Sequence, residues 1–193
     1  MIFSSIFFMF VFLPVTLLLY FLVPGKVKNL VLLLCSLVFY AWGEPVYIFL
    51  MMFSILFNYI SGIELERHRQ KQEEGKLRLC FWTTVAANLA ILGFFKYYGF
   101  FILNLNKILP FDIPYKELAL PIGISFYTFQ TLSYIIDVYR GKVEVQKNLI
   151  YFGTYVTMFP QLIAGPIVRY ADVEKQLRSR NINIAKFGDG VLW

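Results

Sequence analysis

Charge is in short supply in this chain. Asp, Glu, Lys and Arg together make up 16% of the 193 residues, while 59% are hydrophobic and 19% aromatic. That balance excludes a soluble domain of ordinary composition and leaves the bilayer as the natural solvent. Histidine is reduced to His68, in a charged stretch with no carboxylate, thiol or second imidazole placed to make it a base or ligand. It reads as a solvated residue, and no metal site is expected. Cys35 and Cys80 have neither CxxC spacing nor a ligand partner, which excludes a disulfide framework and a zinc or redox centre. Both read as small packing residues. Nucleophile-elbow, P-loop, dinucleotide and zinc motifs are absent, so a soluble-type catalytic centre has no support. A basic n-region and a small-residue cleavage site are also missing before Pro24, and a retained N-terminal anchor is expected.

The net charge of +6 comes from 18 basic against 12 acidic residues. The basic ones collect between apolar runs and form no tract with interleaved aromatics. Nucleic-acid binding is therefore not expected, and topology explains the charge better.

What the chain has in quantity is long apolar runs. Crossing the hydrocarbon core takes about 20 residues of helix. The segments 2–23, 46–63, 81–103 and 118–139 meet that need, and 30–42 falls short of it. The charged stretch 64–78 reads as a polar loop, and by the positive-inside rule the loops 24–29, 64–80 and 140–148 are cytoplasmic. The N-terminus, Gly43–Pro45 and 104–117 then lie outside.

This count fails at 149–168, because a full crossing there would place Arg169, Lys175, Arg178, Arg180 and Lys186 outside. Pro160 and the Gly165-Pro166 pair interrupt the same segment, and each proline removes a helix hydrogen bond. A broken or re-entrant segment around 159–168 resolves both observations. A full crossing followed by an outside amphipathic helix is the alternative. Non-helical backbone at membrane depth is tolerated where it is buried in protein or lines a watery cavity. From 171 to 187 apolar and basic residues alternate, as in an interfacial amphipathic segment, and "GDGVLW" resembles the start of another apolar segment. The fold class expected is all-α, integral to the membrane and multi-pass, with no internal repeat and no second domain.

Polar residues at membrane depth are the candidates for function, because burying them is costly. In "LPIGISFYTFQTLSYIIDVYRG", Tyr127, Gln130, Tyr134 and Asp137 follow one another at three- and four-residue steps and share a helix face. The stripe reads either as helix-to-helix hydrogen bonding with an Asp137–Arg140 pair, or as one wall of a polar passage with Asp137 paired to Arg169. In "FPQLIAGPIVRY", Gln161 and Arg169 divide in the same way. Arg169 either marks the membrane boundary or holds an anionic group such as a phosphate.

Four stretches carry a resemblance. "FSSIFFMFVFLP", "LLLCSLVFYAWGEPVY" and the two segments just quoted together resemble the membrane-bound O-acyltransferase family, in its alginate O-acetyltransferase-like bacterial branch, along essentially the whole chain. The resemblance implies helices around a tunnel, through which an acyl group, acetyl in this branch, passes from a cytoplasmic donor to hydroxyls of an exported polysaccharide such as alginate. Acetyl-CoA or an acyl carrier is then a substrate and no cofactor is bound. The inner membrane and further subunits of a polysaccharide-modifying complex are the implied surroundings.

The family's catalytic histidine belongs to a later half, and no catalytic residue is expected in this chain. Residues 1–193 are thus expected to be the N-terminal part of one acyltransferase domain, inactive alone, with Tyr127, Gln130, Tyr134, Asp137, Gln161 and Arg169 as tunnel or substrate-path candidates. Two other readings stand beside it: a structural or partner subunit, and a secondary transporter, in which broken helices are also expected.

Overall fold

The structure, a computed structural model, describes residues 5–109, 114, 119–164 and 168–178, and every regular element among them is helical. A π-helical turn, Phe8–Phe12, runs directly into α1 (Leu13–Leu22), and Pro14, which has no N–H to give, follows that turn at once. A 3₁₀ turn at Gly25–Val27 leads into α2 (Lys28–Gly43), and α3 (Ile48–Gln70) and α4 (Glu74–Ile108) form a long antiparallel pair. Then follow α5 (Ile124–Tyr139), α6 (Leu149–Thr157), α7 (Phe159–Ala164) and α8 (Tyr170–Arg178).

Three of these stretches are long and apolar enough to cross a membrane: Gly25–Gly43, Ile48–Gln70 and Glu74–Ile108. Their outward faces carry residues such as Phe49 and Ile108, 75% and 83% exposed, which water would not tolerate in such numbers and a bilayer covers. This is an all-α membrane protein. The second run, expected to fall short of a crossing, reaches crossing length because the 3₁₀ turn, Lys28 and Asn29 extend it.

The charged stretch 64–78 is not a loop. Helix α3 continues to Gln70 and α4 starts at Glu74, leaving a three-residue turn. The charges suit a helix that has left the apolar zone, since Arg67 pairs with Glu64 and Gln70 with Glu66 one turn apart. Gln72 closes α3 with φ at 57°, and the Gln72 and Glu73 N–H groups return to the carbonyls of Arg69 and His68, a Schellman ending. At 35 residues α4 is about 52 Å long, well beyond the hydrocarbon thickness.

A hydrogen-bonded seam holds α3 to α4. Asn58 and Asn88, both buried, exchange amide bonds of 3.0 Å in each direction, and each gives its other proton to a backbone carbonyl one turn earlier, Ser54 or Thr84. No donor in this pair is left over. Helix α3 also receives α5 closely at Gly62, where an added Cβ would lie 3.1 Å from the Tyr134 hydroxyl.

The C-terminus of α5 is closed twice. Gly141, at φ 70°, makes a Schellman ending with Asp137 and Val138, and Arg69 reaches across from α3 to the carbonyls of Val138 and Tyr139. Orphan carbonyls and the negative end of the helix dipole are thus met by one guanidinium.

The segments expected to share a side do lie at one end of the bundle. Arg69 joins 64–80 to the end of α5, Arg178 of α8 lies 3.5 Å from Glu144, and Asn29 donates to the Leu177 carbonyl at 2.8 Å.

Asn58→Ala is expected to destabilise the fold by about 1 kcal/mol, the usual range for an interhelical bond in a membrane. The Asn58→Ala/Asn88→Ala pair should cost less than the sum of the single changes, because the second removes an amide already orphaned by the first. Unfolding of the detergent-solubilised chain in a denaturant titration reads the coupling, and strictly additive costs would show that the pair is not a unit.

Candidate functional site

Asn148 starts α6 by accepting from the N–H groups of Ile150 and Tyr151, at 2.9 and 3.3 Å. The helix stops after Thr157. Met158 turns to ψ 112°, and its carbonyl accepts the first bonds of α7, from Gln161 and Leu162. Pro160 therefore sits in the first turn of α7, where it takes no partner from any carbonyl.

Helix α7 reaches the far end of the bundle, where Phe159 packs among Phe8, Phe12 and Phe39 and Leu162 lies over Gly123, before the first turn of α5. By Val168 the chain is back. The Tyr155 hydroxyl lies 3.0 Å from the Val168 carbonyl, Tyr170 lies beside Gln146 ahead of α6, and Leu177 touches Asn29. Residues 149–178 thus double back to the end from which they started, as the charge pattern and Pro160 imply. The Gly165-Pro166 pair and the apolar start at 188–193 fall outside the described residues, as do 179–187 of the amphipathic segment. Within that segment α8 turns Val173 and Leu177 toward the bundle.

The α5 stripe meets this doubled-back segment. Gln130 donates to the Tyr155 carbonyl at 2.8 Å, and the Tyr155 hydroxyl shares its proton between the carbonyls of Gln130 and Val168, at 3.3 and 3.0 Å. The Gln146 N–H donates to the Tyr134 oxygen at 3.0 Å, and its side chain donates to the Tyr170 hydroxyl at 2.8 Å while accepting from the Asn148 N–H at 2.9 Å. Around these bonds the rings of Tyr134, Phe152, Tyr155 and Tyr170 pack tilted or edge-to-face with centroids 4.9 to 6.3 Å apart. All four rings are almost wholly buried. Each edge-to-face pair is worth about 1 kcal/mol beyond its area, so the cluster is a rigid node.

Of the residues singled out from sequence, Tyr127, Gln130 and Tyr134 share the buried face of α5, and Asp137 is half-buried at its charged end. The Tyr127 hydroxyl, 1% exposed, meets no partner among the described residues, a costly state for a buried phenol. Arg169 is exposed, and among the described residues no ion pair joins Asp137 to Arg169 or to Arg140. Gln161 lines a cavity of about 280 Å³ with residues of α1, α8, the break at Met158 and Leu32 of α2.

His68 does have carboxylate neighbours, contrary to the sequence reading. Its Nδ1 lies 2.7 Å from Glu73 and its Nε2 3.7 Å from Glu64, because the tight turn through Gln72 folds Glu73 back over the last turn of α3. Hydrogen bonds from Lys76 and then His68 hold the Glu73 carboxyl below the ordinary glutamate range. Among the described residues no group of three His, Cys, Asp or Glu side chains could hold a metal ion.

Sequence reasoning missed Gln146, Tyr155 and the Asn58–Asn88 pair. Only the last had a local signal, each asparagine being a lone amide deep in an apolar run.

No protein-family model matches the chain, and no solved structure does. Curated relatives do. A probable alginate O-acetylase of Azotobacter vinelandii is 40% identical over 198 residues, covering 98% of this chain and 38% of the relative. The corresponding Pseudomonas aeruginosa protein is 41% identical over 196 residues, covering 98% and 37%. A peptidoglycan O-acetyltransferase of Helicobacter pylori is 33% identical over 210 residues, covering 94% and 39%. The chain thus spans somewhat over a third of the length of these relatives.

Two outcomes are expected. Tyr155→Phe keeps the ring but frees the Val168 carbonyl, the Gln130 carbonyl keeping the Ser133 hydroxyl, and should cost roughly 1–2 kcal/mol and raise hydrogen exchange in 168–178. Unchanged exchange there would remove the phenol as the tie. For Glu73 the folded carboxyl titrates lower than the unfolded one, so its contribution to stability is present above the ordinary glutamate value and lost as pH falls through the folded value. The thermal midpoint of Glu73→Gln should therefore lie below the parent's at neutral pH and converge with it in acid.

Proposed function

We propose that this chain, homologous along 98% of its length to bacterial alginate O-acetylases and so a member of the membrane-bound O-acyltransferase family that its motifs resemble, forms part of the scaffold and passage wall of a polysaccharide O-acetyltransferase. The observation that carries the reading is that an alignment at 40% identity covers 98% of the chain and so takes in α5, the break at Met158 and the return to α8. The relatives are named for two acceptors, alginate and peptidoglycan, and for one transferred group. Acetyl transfer to a saccharide hydroxyl is therefore the reaction, and an exported polysaccharide such as alginate the acceptor.

In that reaction the acceptor oxygen attacks the acetyl carbonyl, an ester C–O bond forms, the thioester C–S bond of acetyl-CoA or an acyl carrier breaks, and the hydroxyl proton passes to a base. His68 lies at the charged turn and not at membrane depth, so this reading gives these residues structural and passage-lining roles and places no catalytic residue among them. The charged end, with 24–29, 64–80 and 140–148, faces the cytoplasm and the acyl donor, in keeping with its excess of lysine and arginine in the inner membrane. Further subunits of a polysaccharide-modifying complex are proposed on the family resemblance alone. Tyr127, Gln130, Tyr134, Asp137, Gln161 and Arg169 are the passage candidates, and the Tyr127 hydroxyl, without a partner among the described residues, is the group best placed to meet a polar guest.

Deleting the chain from cells that make an O-acetylated exopolysaccharide should abolish the acetate released from that polymer by mild alkali, with polymer yield retained. Undiminished acetate would overturn the function. Single cysteines at Tyr127 and Gln130 should react with a water-soluble thiol reagent in intact membranes, whereas uniform protection would leave the fold role and remove the passage.

A further inference from the structure

Between α1, the break before α7, and α8 lies the cavity of about 280 Å³ already met at Gln161. Leu13, Leu17 and Leu32 make its walls apolar, Thr16 is buried within them, and Leu177 closes it from α8. It extends along α1 from the first turn to Tyr20, near the end of the helix at the charged side of the bundle. There the Lys28 ammonium sits 4.8 Å above the Tyr20 ring and 5.8 Å from that of Phe21. Unlike Arg67, Lys76 and Arg178, Lys28 has no carboxylate within ion-pair distance among the described residues. Lys26 lies two residues away on the same turn.

We propose that this cavity takes one acyl chain of an anionic phospholipid from the leaflet at the charged end, with the phosphate against Lys28. An apolar slot at membrane depth is filled by hydrocarbon without displacing water. A cation at the rim with no acidic partner among the described residues, held over an aromatic ring, is matched by a phosphate with net negative charge. The lipid would fill the gap between α1 and the doubled-back segment. The inference rests on the membrane reading alone and is independent of acetyl transfer, so loss of either leaves the other testable.

The test uses the whole 193-residue chain, purified in detergent, stripped of lipid, and offered phosphatidylglycerol or phosphatidylcholine with identical acyl chains. Native mass spectrometry should show one phosphatidylglycerol retained in preference to phosphatidylcholine. Lys28→Gln should weaken that retention about fivefold, Lys28→Arg should keep it, and Thr16→Trp, which fills the cavity, should remove it. Gln176→Trp on the rim serves as a second block in case the buried change disturbs folding, with helix content checked by circular dichroism. Equal retention of the two lipids, indifference to Lys28→Gln, or a preference that survives both tryptophans in folded protein would overturn the proposal.

Discussion

A backbone group released from a helix inside a bilayer has no water to turn to, and everything about the end of this chain follows from that constraint. The break at Met158 and the irregular residues 168–169 are affordable only because side chains meet the freed carbonyls. The Tyr155 phenol holds Val168, Gln130 holds Tyr155, and Gln146 ties the segment ahead of α6 to Tyr134 and Tyr170. Removing one of these leaves the others bound to a segment that has lost its register. The break and the polar stripe on α5 are two halves of one arrangement: the stripe exists where a broken helix needs donors.

Under the proposed function, this arrangement suits a passage wall. A continuous helix presents side chains alone to a passage, whereas a doubled-back segment also presents backbone, and the rigid ring cluster beneath it keeps that backbone in place. The nearby Tyr127 hydroxyl is held in the same packed layer but is not consumed by it.

How much of this could be read beforehand varied with the range of the signal. The stripe was legible because three- and four-residue spacing is local, and the doubling-back was legible because charge and Pro160 conflict with a simple crossing. The extension of α3 and α4 through 64–78 was not, since a run of charges looks the same whether it is a loop or a helix that has emerged from lipid. Gln146 was hidden for a different reason. Its partners lie 12 and 24 residues away, and nothing in a loop's composition shows which neighbour a bend will bring. The expected Asp137–Arg169 pair failed because opposite charges on the same end of a bundle need not face one another, and exposed arginine is well satisfied by solvent or headgroups.

The arrangement of partners also sets an order of birth. The Asn58–Asn88 pair spans 30 residues, so the α3–α4 hairpin can leave the insertion machinery with its amides already matched. Arg69 must wait 70 residues for the Tyr139 carbonyl, and Asn29 must wait 148 for that of Leu177. The hairpin is therefore the template, and the early segments carry unspent donors at the charged end that later helices dock onto. Synthesis itself, running from the N-terminus, lays down the receiver before the broken segment that cannot stand without it.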